Sequence, residues 1–238
     1  MNLGVYQIGG IKKERLDYLN KSLLDLFNTI QPNILTTSVQ TMDSQPFIQK
    51  ECVVIGGGFL YYGDAVQAYK LLDWFLQQKT LDCYLGLVSK DMPLIGTHTC
   101  RTKPTQEELQ DYPELKKELQ EEFVRAFHNL GGLAYLGKRV SVASLMWDYN
   151  VHPHPQSYEE QLKQNEIKVK QEVLHSFGLK HHSGKGIDIR EFFMKDMIDL
   201  CVMGWEDDIS KSTGYTSSTK LCEEHTEELK KILNQLKP

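Results

Sequence analysis

The sequence predicts a mixed α/β protein, because short apolar stretches rich in Ile, Val and Thr alternate with amphipathic helical stretches along its first half. The chain has 238 residues, of which 40% are hydrophobic and 25% are charged, and this is enough to bury a substantial core. Beyond Gly178 the sequence is irregular and polar until a last amphipathic stretch. We therefore expect an N-terminal lobe over residues 1–178 and a small C-terminal lobe over residues 179–238.

The first half reads as strands and helices in alternation. Apolar residues at three- and four-residue spacing predict a helix ended by Pro32, and Asp64 followed by Gln67 predicts the start of a second helix. The predicted strands are residues 3–8, 33–40, 51–55, 81–88 and 92–98, and the predicted helices are residues 16–30 and 64–78. The strand over 92–98 contains Pro93, which favours an edge position.

The second half leads to one well-marked helix. Residues 102–130 carry many charges but keep a helical apolar stripe, which predicts a solvated helix with no implied function, and residues 134–146 are strand-like. Ser157 with Glu160 forms a capping box, and Gly178 is suited to the left-handed turn that ends a helix, so a helix over 157–177 is expected. A final helix is expected over 223–236.

Composition excludes several classes of protein. The net charge of −5 and pI near 5.9 give no positive field for nucleic acid. The N-terminus lacks a cationic start and apolar core, and no apolar run is long enough to span a membrane. Five cysteines form a sparse, odd set, unlike a disulfide scaffold. We expect a cytoplasmic protein with no nucleic-acid or membrane partner.

One segment carries a metal-binding pattern. Gln171 and His175 lie one helical turn apart on the same face, as two ligands of one metal must. Glu172 is beside that face, where a carboxylate can take a proton from a metal-activated water. Gly178 lets the chain turn back, so that His181 can supply a third ligand. Alone, Glu-x-x-His on a helix is usually a solvated face, but the full spacing is far more specific.

A second group of potential ligands follows downstream. Cys201 lies close to Met203 in sequence, and Cys222 precedes His225 with Cys-x-x-His spacing. With His182 they would form a closed, four-ligand zinc site of Cys2His2 type. The alternative is that both cysteines are small buried hydrophobic residues, as we expect for Cys52, Cys83 and Cys100.

These residues together resemble the archaemetzincins, zinc metallopeptidases of the metzincin clan. Glu172, His175, Gly178 and His181 match the clan's extended His-Glu-x-x-His-x-x-Gly-x-x-His motif. The Cys201-Val-Met203 sequence is similar to the family's Cys-x-Met turn, and Cys222 matches the first cysteine of its last pair. Residues 132–145 resemble the strand that precedes the active-site helix. The resemblance implies a metzincin-like mixed sheet with an active-site helix and an apolar floor at Met203.

The departures from the family pattern matter as much as the matches. Gln171 stands where the family has the first zinc-binding histidine, and a neutral amide oxygen is a poorer zinc donor than imidazole. His182 and His225 stand where the family has cysteines, and either residue type binds tetrahedral zinc. The second site is therefore better preserved than the first.

Two functions remain open from the sequence. The chain is either a zinc metallopeptidase, with Glu172 as general base and a catalytic zinc weakened by Gln171, or an inactive pseudopeptidase that binds peptide or protein and holds only a structural zinc. In the first case His175, His181 and Gln171 or a replacement, such as His152 or His154, hold the catalytic zinc. A peptide substrate would add to an edge strand, for which residues 92–98 are the candidate.

Overall fold

A computed structural model describes residues 1–56, 59–104, 109, 123–145, 157–181, 201–203 and 218–236. Its strands are β1 (Asn2–Ile8), β2 (Thr36–Met42), β3 (Ile48–Gly56), β4 (Phe59–Gln67), β5 (Cys83–Val88), β6 (Leu94–Thr102), β7 (Val124–Asn129), β8 (Gly132–Tyr135) and β9 (Val140–Ser144). Its helices are α1 (Lys13–Ile30), α2 (Ala68–Gln77), α3 (Tyr158–Phe177) and α4 (Glu223–Gln235). The predicted mixed α/β class is confirmed.

The strands form two sheets. The first has five strands in the order β2-β1-β5-β9-β8, parallel except for β8, which runs antiparallel to β9 at one edge. The second is a small closed barrel, β3-β4-β6-β7. Residues on the two faces of the first sheet alternate along each strand, as the period of two requires.

Helices cover both faces of the five-stranded sheet. Apolar residues of α1, α3 and α4 pack with one face in a single cluster, which also contains Cys201–Met203. Apolar residues of α2 pack on the other face together with Tyr6 and Tyr84. Leu229 and Leu233 of α4 belong to the first cluster. The division into lobes at residue 178 stays a prediction.

The expected helix start at Asp64 is wrong, because residues 64–67 complete β4 and α2 begins at Ala68. Both residues taken as capping residues are used by the barrel instead. The Asp64 carboxylate accepts a hydrogen bond from the backbone N–H of Glu51 at 3.2 Å, and the Gln67 amide donates to Gln49 Oε1 at 2.6 Å. Contacts across the strand pair thus overrode the local capping pattern.

The expected helix over 102–130 is wrong at both of its ends, which are the parts that the structure describes. Residues 94–102 form β6 and residues 124–129 form β7, while 105–108 and 110–122 lie outside the described residues. Phe127, taken as part of a helical stripe, packs against the barrel cluster of Val54 and Ile95. Pairing of β7 with β3 and β6 decides the conformation here.

The expected edge position of residues 92–98 is also wrong. β6 pairs with β4 on one side and β7 on the other, and Pro93 precedes the strand, where its carbonyl accepts from Val66 N–H at 2.9 Å. The predicted strand over 134–146 is instead the hairpin of β8 and β9, which turns at Gly137 with φ of 70°. Among the described strands, β8 lies at one edge of the five-stranded sheet. No described helix combines the length and apolar character needed to cross a membrane.

Candidate metal centre

The helix α3 carries the first group of candidate ligands, and its two ends form as the sequence predicts. Ser157 Oγ accepts a hydrogen bond from Glu160 N–H, and the Glu160 carboxylate accepts one from Ser157 N–H, both at 3.2 Å. Gly178 ends the helix with φ of 107°, a left-handed conformation that favours glycine. The chain therefore turns back directly after the helix and brings His181 towards His175.

The two histidines meet through their ring nitrogens. His175 Nε2 lies 3.0 Å from His181 Nε2, and the two rings are nearly perpendicular, with an interplanar angle of 79°. Two nitrogen ligands of one tetrahedral zinc, each about 2.0–2.1 Å from it, lie about 3.3 Å apart. The pair is thus close to the spacing that a shared metal requires.

The hydrogen bonds of the other ring nitrogens fix the protons of this pair. His175 Nδ1 lies 2.7 Å from the carbonyl of Leu179, and His181 Nδ1 lies 3.2 Å from the carbonyl of Met203. A carbonyl oxygen only accepts, so each Nδ1 carries a hydrogen, and when both rings are neutral their Nε2 lone pairs face each other. Two facing lone pairs repel unless a cation lies between them.

A metal satisfies this arrangement better than a proton. Burial lowers the pKa of His175 despite the hydrogen bond to Leu179, which acts to raise it. The protonated form of this imidazole is therefore disfavoured, whereas two neutral imidazoles are good zinc ligands. Such ligands are typically held by a hydrogen bond from the second ring nitrogen to a carbonyl, as both are here.

Gln171 reproduces the same pattern with an amide. Its side chain is buried, and its Nε2 donates a hydrogen bond to the carbonyl of Val202 at 2.7 Å. Gln171 is one helical turn before His175, so both side chains lie on the same face. With the amide nitrogen engaged by Val202, Oε1 is the atom of this side chain that a metal would use. The donor set is two imidazoles and a neutral oxygen, which fits zinc weakly.

The side chain of Glu172 extends from α3 and contacts the strand β8 at Gly132. A Cβ added to Gly132 would lie 2.5 Å from Glu172 Oε1, so the absence of a side chain at this position of β8 makes room for the carboxyl group. Burial raises the pKa of Glu172 to about 8, although the nearby Lys168 acts to lower it. A carboxyl group with a raised pKa can exchange protons near neutral pH.

A second group of ligand atoms comes together at the start of α4. The ligand atoms of Cys201, Cys222 and His225 all lie within 4.8 Å of one another. His225 Nδ1 is 3.3 Å from Cys201 Sγ and 3.5 Å from Cys222 Sγ, close to the roughly 3.6 Å between sulfur and nitrogen ligands of a tetrahedral zinc. Two sulfurs and one imidazole suit zinc well.

The thiol of Cys201 needs a cation to ionise near neutral pH. Burial raises the pKa of Cys201 to about 12, opposed by hydrogen bonds from the backbone of Cys222 and Met203. A bound metal deprotonates a coordinating thiol outright. His182, the fourth ligand expected from the sequence, lies outside the described residues, as do His152 and His154.

Several features of the site could not be found in the sequence. Val202, Leu179 and Met203 act through backbone carbonyls, which any residue carries, so no residue type signals them. The sequence places Gly132 only in a strand-like stretch. Its contact with Glu172 depends on how β8 packs on α3, which the sequence does not indicate. Of the remaining cysteines, Cys52 and Cys83 are buried and Cys100 is partly buried.

The fold is that of known structures, although the sequence is distant from them. No family model and no curated protein matches the chain. It is similar to the crystal structure of an archaemetzincin from Methanopyrus kandleri, at 17% identity and a TM-score of 0.54, with 98% of this chain and 96% of that chain covered. It is also similar to an archaemetzincin from Archaeoglobus fulgidus crystallised with malonate, at 14% identity and a TM-score of 0.50, with 96% and 99% covered. The chain therefore has an archaemetzincin-like fold.

Proposed function

We propose that this chain, with its archaemetzincin-like fold, is a zinc-dependent peptidase whose catalytic zinc is held by His175, His181 and the amide oxygen of Gln171. The observation that carries this proposal is the approach of two imidazole Nε2 atoms to 3.0 Å, with both Nδ1 atoms held by carbonyls. A second zinc, held by Cys201, Cys222, His225 and His182, is structural because its ligand set leaves no open position.

When bound at the first site, zinc supplies a Lewis acid that lowers the pKa of water and polarises a peptide carbonyl. The chain's own part in the reaction belongs to Glu172, which takes a proton from the attacking water and later gives it to the leaving amine. This role is supported by the position of Glu172 on α3 between Gln171 and His175 and by the contact of its carboxyl group with Gly132. A nearby cation favours the ionised form of this carboxyl, which is the form that a base requires.

We infer that the substrate is a peptide bound in extended form along β8. This strand pairs only with β9 among the described strands, so its other edge offers backbone groups to a further strand. It replaces residues 92–98 as the candidate, because β6 is paired on both sides. The contact of Gly132 with Glu172 supports a substrate on this strand, because it brings β8 close to the proposed base. The sparse cysteines and the thiol ligands also support a reducing, cytoplasmic location.

The second candidate is a pseudopeptidase that binds peptide or protein without cutting it. Gln171 favours this alternative, because a neutral amide oxygen adds little affinity to a site with only two imidazoles. In this case the zinc at Cys201, Cys222 and His225 holds the C-terminal segment in place, and the edge of β8 keeps only its binding role.

Cleavage of a diverse peptide library by the zinc-loaded full chain distinguishes the two candidates. A peptidase cleaves some members, loses this activity in Glu172→Gln while keeping its zinc, and becomes more active at low zinc in Gln171→His. If neither the natural chain nor Gln171→His cleaves any peptide at saturating zinc, the hydrolase proposal is wrong. Retained peptide binding in that case identifies the pseudopeptidase.

A further inference from the structure

Three consecutive residues connect the two proposed metal sites. Cys201, Val202 and Met203, which we term the bridge segment, have no exposed side-chain surface. Cys201 is itself a proposed ligand, and each of the other two residues accepts a hydrogen bond from a proposed ligand of the first site. Cys201 Sγ is a ligand atom of the second site, Val202 O accepts from Gln171 Nε2, and Met203 O accepts from His181 Nδ1.

The bridge segment is held from the side of the second site. Val202 N–H donates to Lys220 O at 2.6 Å, and the backbone N–H of Cys222 donates to Cys201 Sγ at 3.4 Å. A metal bound to both Cys201 and Cys222 would connect residues 201–203 to residues 220–222 more strongly than these two hydrogen bonds do. The position of Val202 O and Met203 O therefore depends on the second site.

The helix α3 is also joined to residues 219–222, the part of the chain that holds the bridge segment. Lys170 Nζ donates to Thr219 O at 2.9 Å, and Lys170 is also paired with Glu166 within α3 at 2.6 Å. Both side chains of this pair are less than one tenth exposed. Gln171 directly follows Lys170 on α3. The bond from Lys170 to Thr219 therefore fixes the distance between the helix and residues 219–222 next to the first site.

We propose that the bridge segment positions the ligands of the first site, so that metal bound at Cys201, Cys222 and His225 raises the metal affinity of His175, His181 and Gln171. This inference rests on the metal assignment of the proposed function. Hydrogen bonds that orient metal ligands commonly change metal affinity by about 10- to 100-fold when lost. Two of the three such bonds at the first site end on the bridge segment.

The coupling works in both directions. If metal at the second site raises the affinity of the first by some factor, metal at the first site raises the affinity of the second by the same factor. Couplings of this kind are usually about 5- to 150-fold. The two sites differ in chemistry, and the thiolate site fills first with zinc because it is the softer and more complete of the two.

The first experiment measures zinc affinity at the first site by competition with a chelator of known affinity. Cys222→His keeps a ligand at the second site, whereas Cys222→Ser removes the sulfur, and Cys222 is only partly buried, which leaves room for either change. We expect first-site affinity to stay within about threefold of the natural chain in Cys222→His and to fall about 5- to 150-fold in Cys222→Ser. Equal affinity in all three would overturn the proposal.

The second experiment uses the natural chain and needs no metal at the first site. The ¹⁵N NMR signals of the imidazole rings are followed in the metal-free chain and after one equivalent of zinc. We expect a slowly exchanging Nδ1–H proton to appear on His181, whose acceptor is the Met203 carbonyl, as the second site fills. Unchanged ring signals would contradict the proposal. If no zinc ever binds the first site, the proposed function fails, and the ring signals still decide whether the bridge segment acts on the histidines.

Discussion

The amide of Gln171 donates to the carbonyl of Val202 over 2.7 Å, as the Nδ1–H groups of the two neighbouring histidines donate to carbonyls of Leu179 and Met203. Three side chains thus share one arrangement, in which a backbone carbonyl holds the N–H and the other heteroatom remains for a metal. Gln171 thus keeps the hydrogen-bonding arrangement that the proposed metal site requires, while its amide oxygen is a weaker donor atom than an imidazole nitrogen.

Replacing Gln171 with histidine should strengthen the first site. In Gln171→His the new Nδ1–H can donate to Val202 O, and Nε2 becomes a third imidazole ligand. We expect zinc affinity at this site to rise about tenfold or more, which is about 1.4 kcal/mol. Zinc competition with a chelator measures this change. The matched control is Gln161→His on the same helix, outside the ligand cluster, which should leave first-site affinity unaltered.

Adding a methyl group at Gly132 should displace the proposed base. The Cβ of Gly132→Ala would overlap the Glu172 carboxyl group, so Glu172 or β8 must move. We expect peptide cleavage to fall by about 10²-fold or more, the usual contribution of a well-placed general base, with zinc content unchanged. Gly137→Ala is not a suitable control, because Gly137 has a positive φ. Ala134→Ser on the same strand is the better one, and equal losses in both variants would argue against a specific contact.

Removing one sulfur should release the structural metal. In Cys222→Ala the second site keeps Cys201 and His225 but loses a thiolate ligand, so zinc should dissociate and the packing of α4 should weaken. We expect one zinc fewer per chain and a clear fall in Tm, measured by metal analysis and thermal unfolding. Cys100→Ala, which removes a partly buried thiol from the barrel strand β6, should retain all zinc. Unchanged zinc in Cys222→Ala would exclude this residue as a ligand.

A buried ion pair on α3 should make stability depend on pH. Glu166 accepts hydrogen bonds from Lys170 at 2.6 Å, Ser22 at 2.7 Å and Tyr18 at 2.5 Å. Burial acts to raise the pKa of Glu166, but these bonds outweigh it and hold the pKa below its ordinary value. The stability that they give is therefore present above the pKa of the unfolded chain and is lost as the pH falls through the lower folded pKa.

Urea unfolding between pH 3 and 7 measures this dependence. In Glu166→Gln the acid-side loss of stability should be smaller, and stability at pH 7 should fall by about 3–5 kcal/mol because Lys170 stays buried without its carboxylate. The matched control is Glu227→Gln, which breaks the exposed pair with Lys230 and should cost at most about 1 kcal/mol. Equal effects of the two substitutions would show that the buried pair does not contribute in this way.

Local signals in the sequence predicted local structure well. The capping box at Ser157 and the glycine at 178 mark the two ends of α3 because their hydrogen bonds involve residues within a few positions. The capping pattern at Asp64 and Gln67 gave a wrong helix start, because the partners of these residues, Glu51 and Gln49, are on another strand. Residues 124–129 likewise follow their strand partners rather than their own apolar spacing.

The candidate metal centre shows the same division. Side chains with metal chemistry, such as His175 and Cys201, are visible in a sequence because few residue types can do this work. The carbonyls of Val202 and Met203 cannot be identified from the sequence, because their role depends on contacts between residues 31 and 22 positions apart. The edge position of β8 also required the sheet order.

The zinc content of the purified full chain at saturating zinc tests the central claim most directly. The account predicts about two zinc ions per chain, falling to about one in His181→Ala and in His175→Ala, with the thiolate site still filled. About one zinc ion in the natural chain, unchanged by either substitution, would contradict it and would leave the histidine pair without a metal.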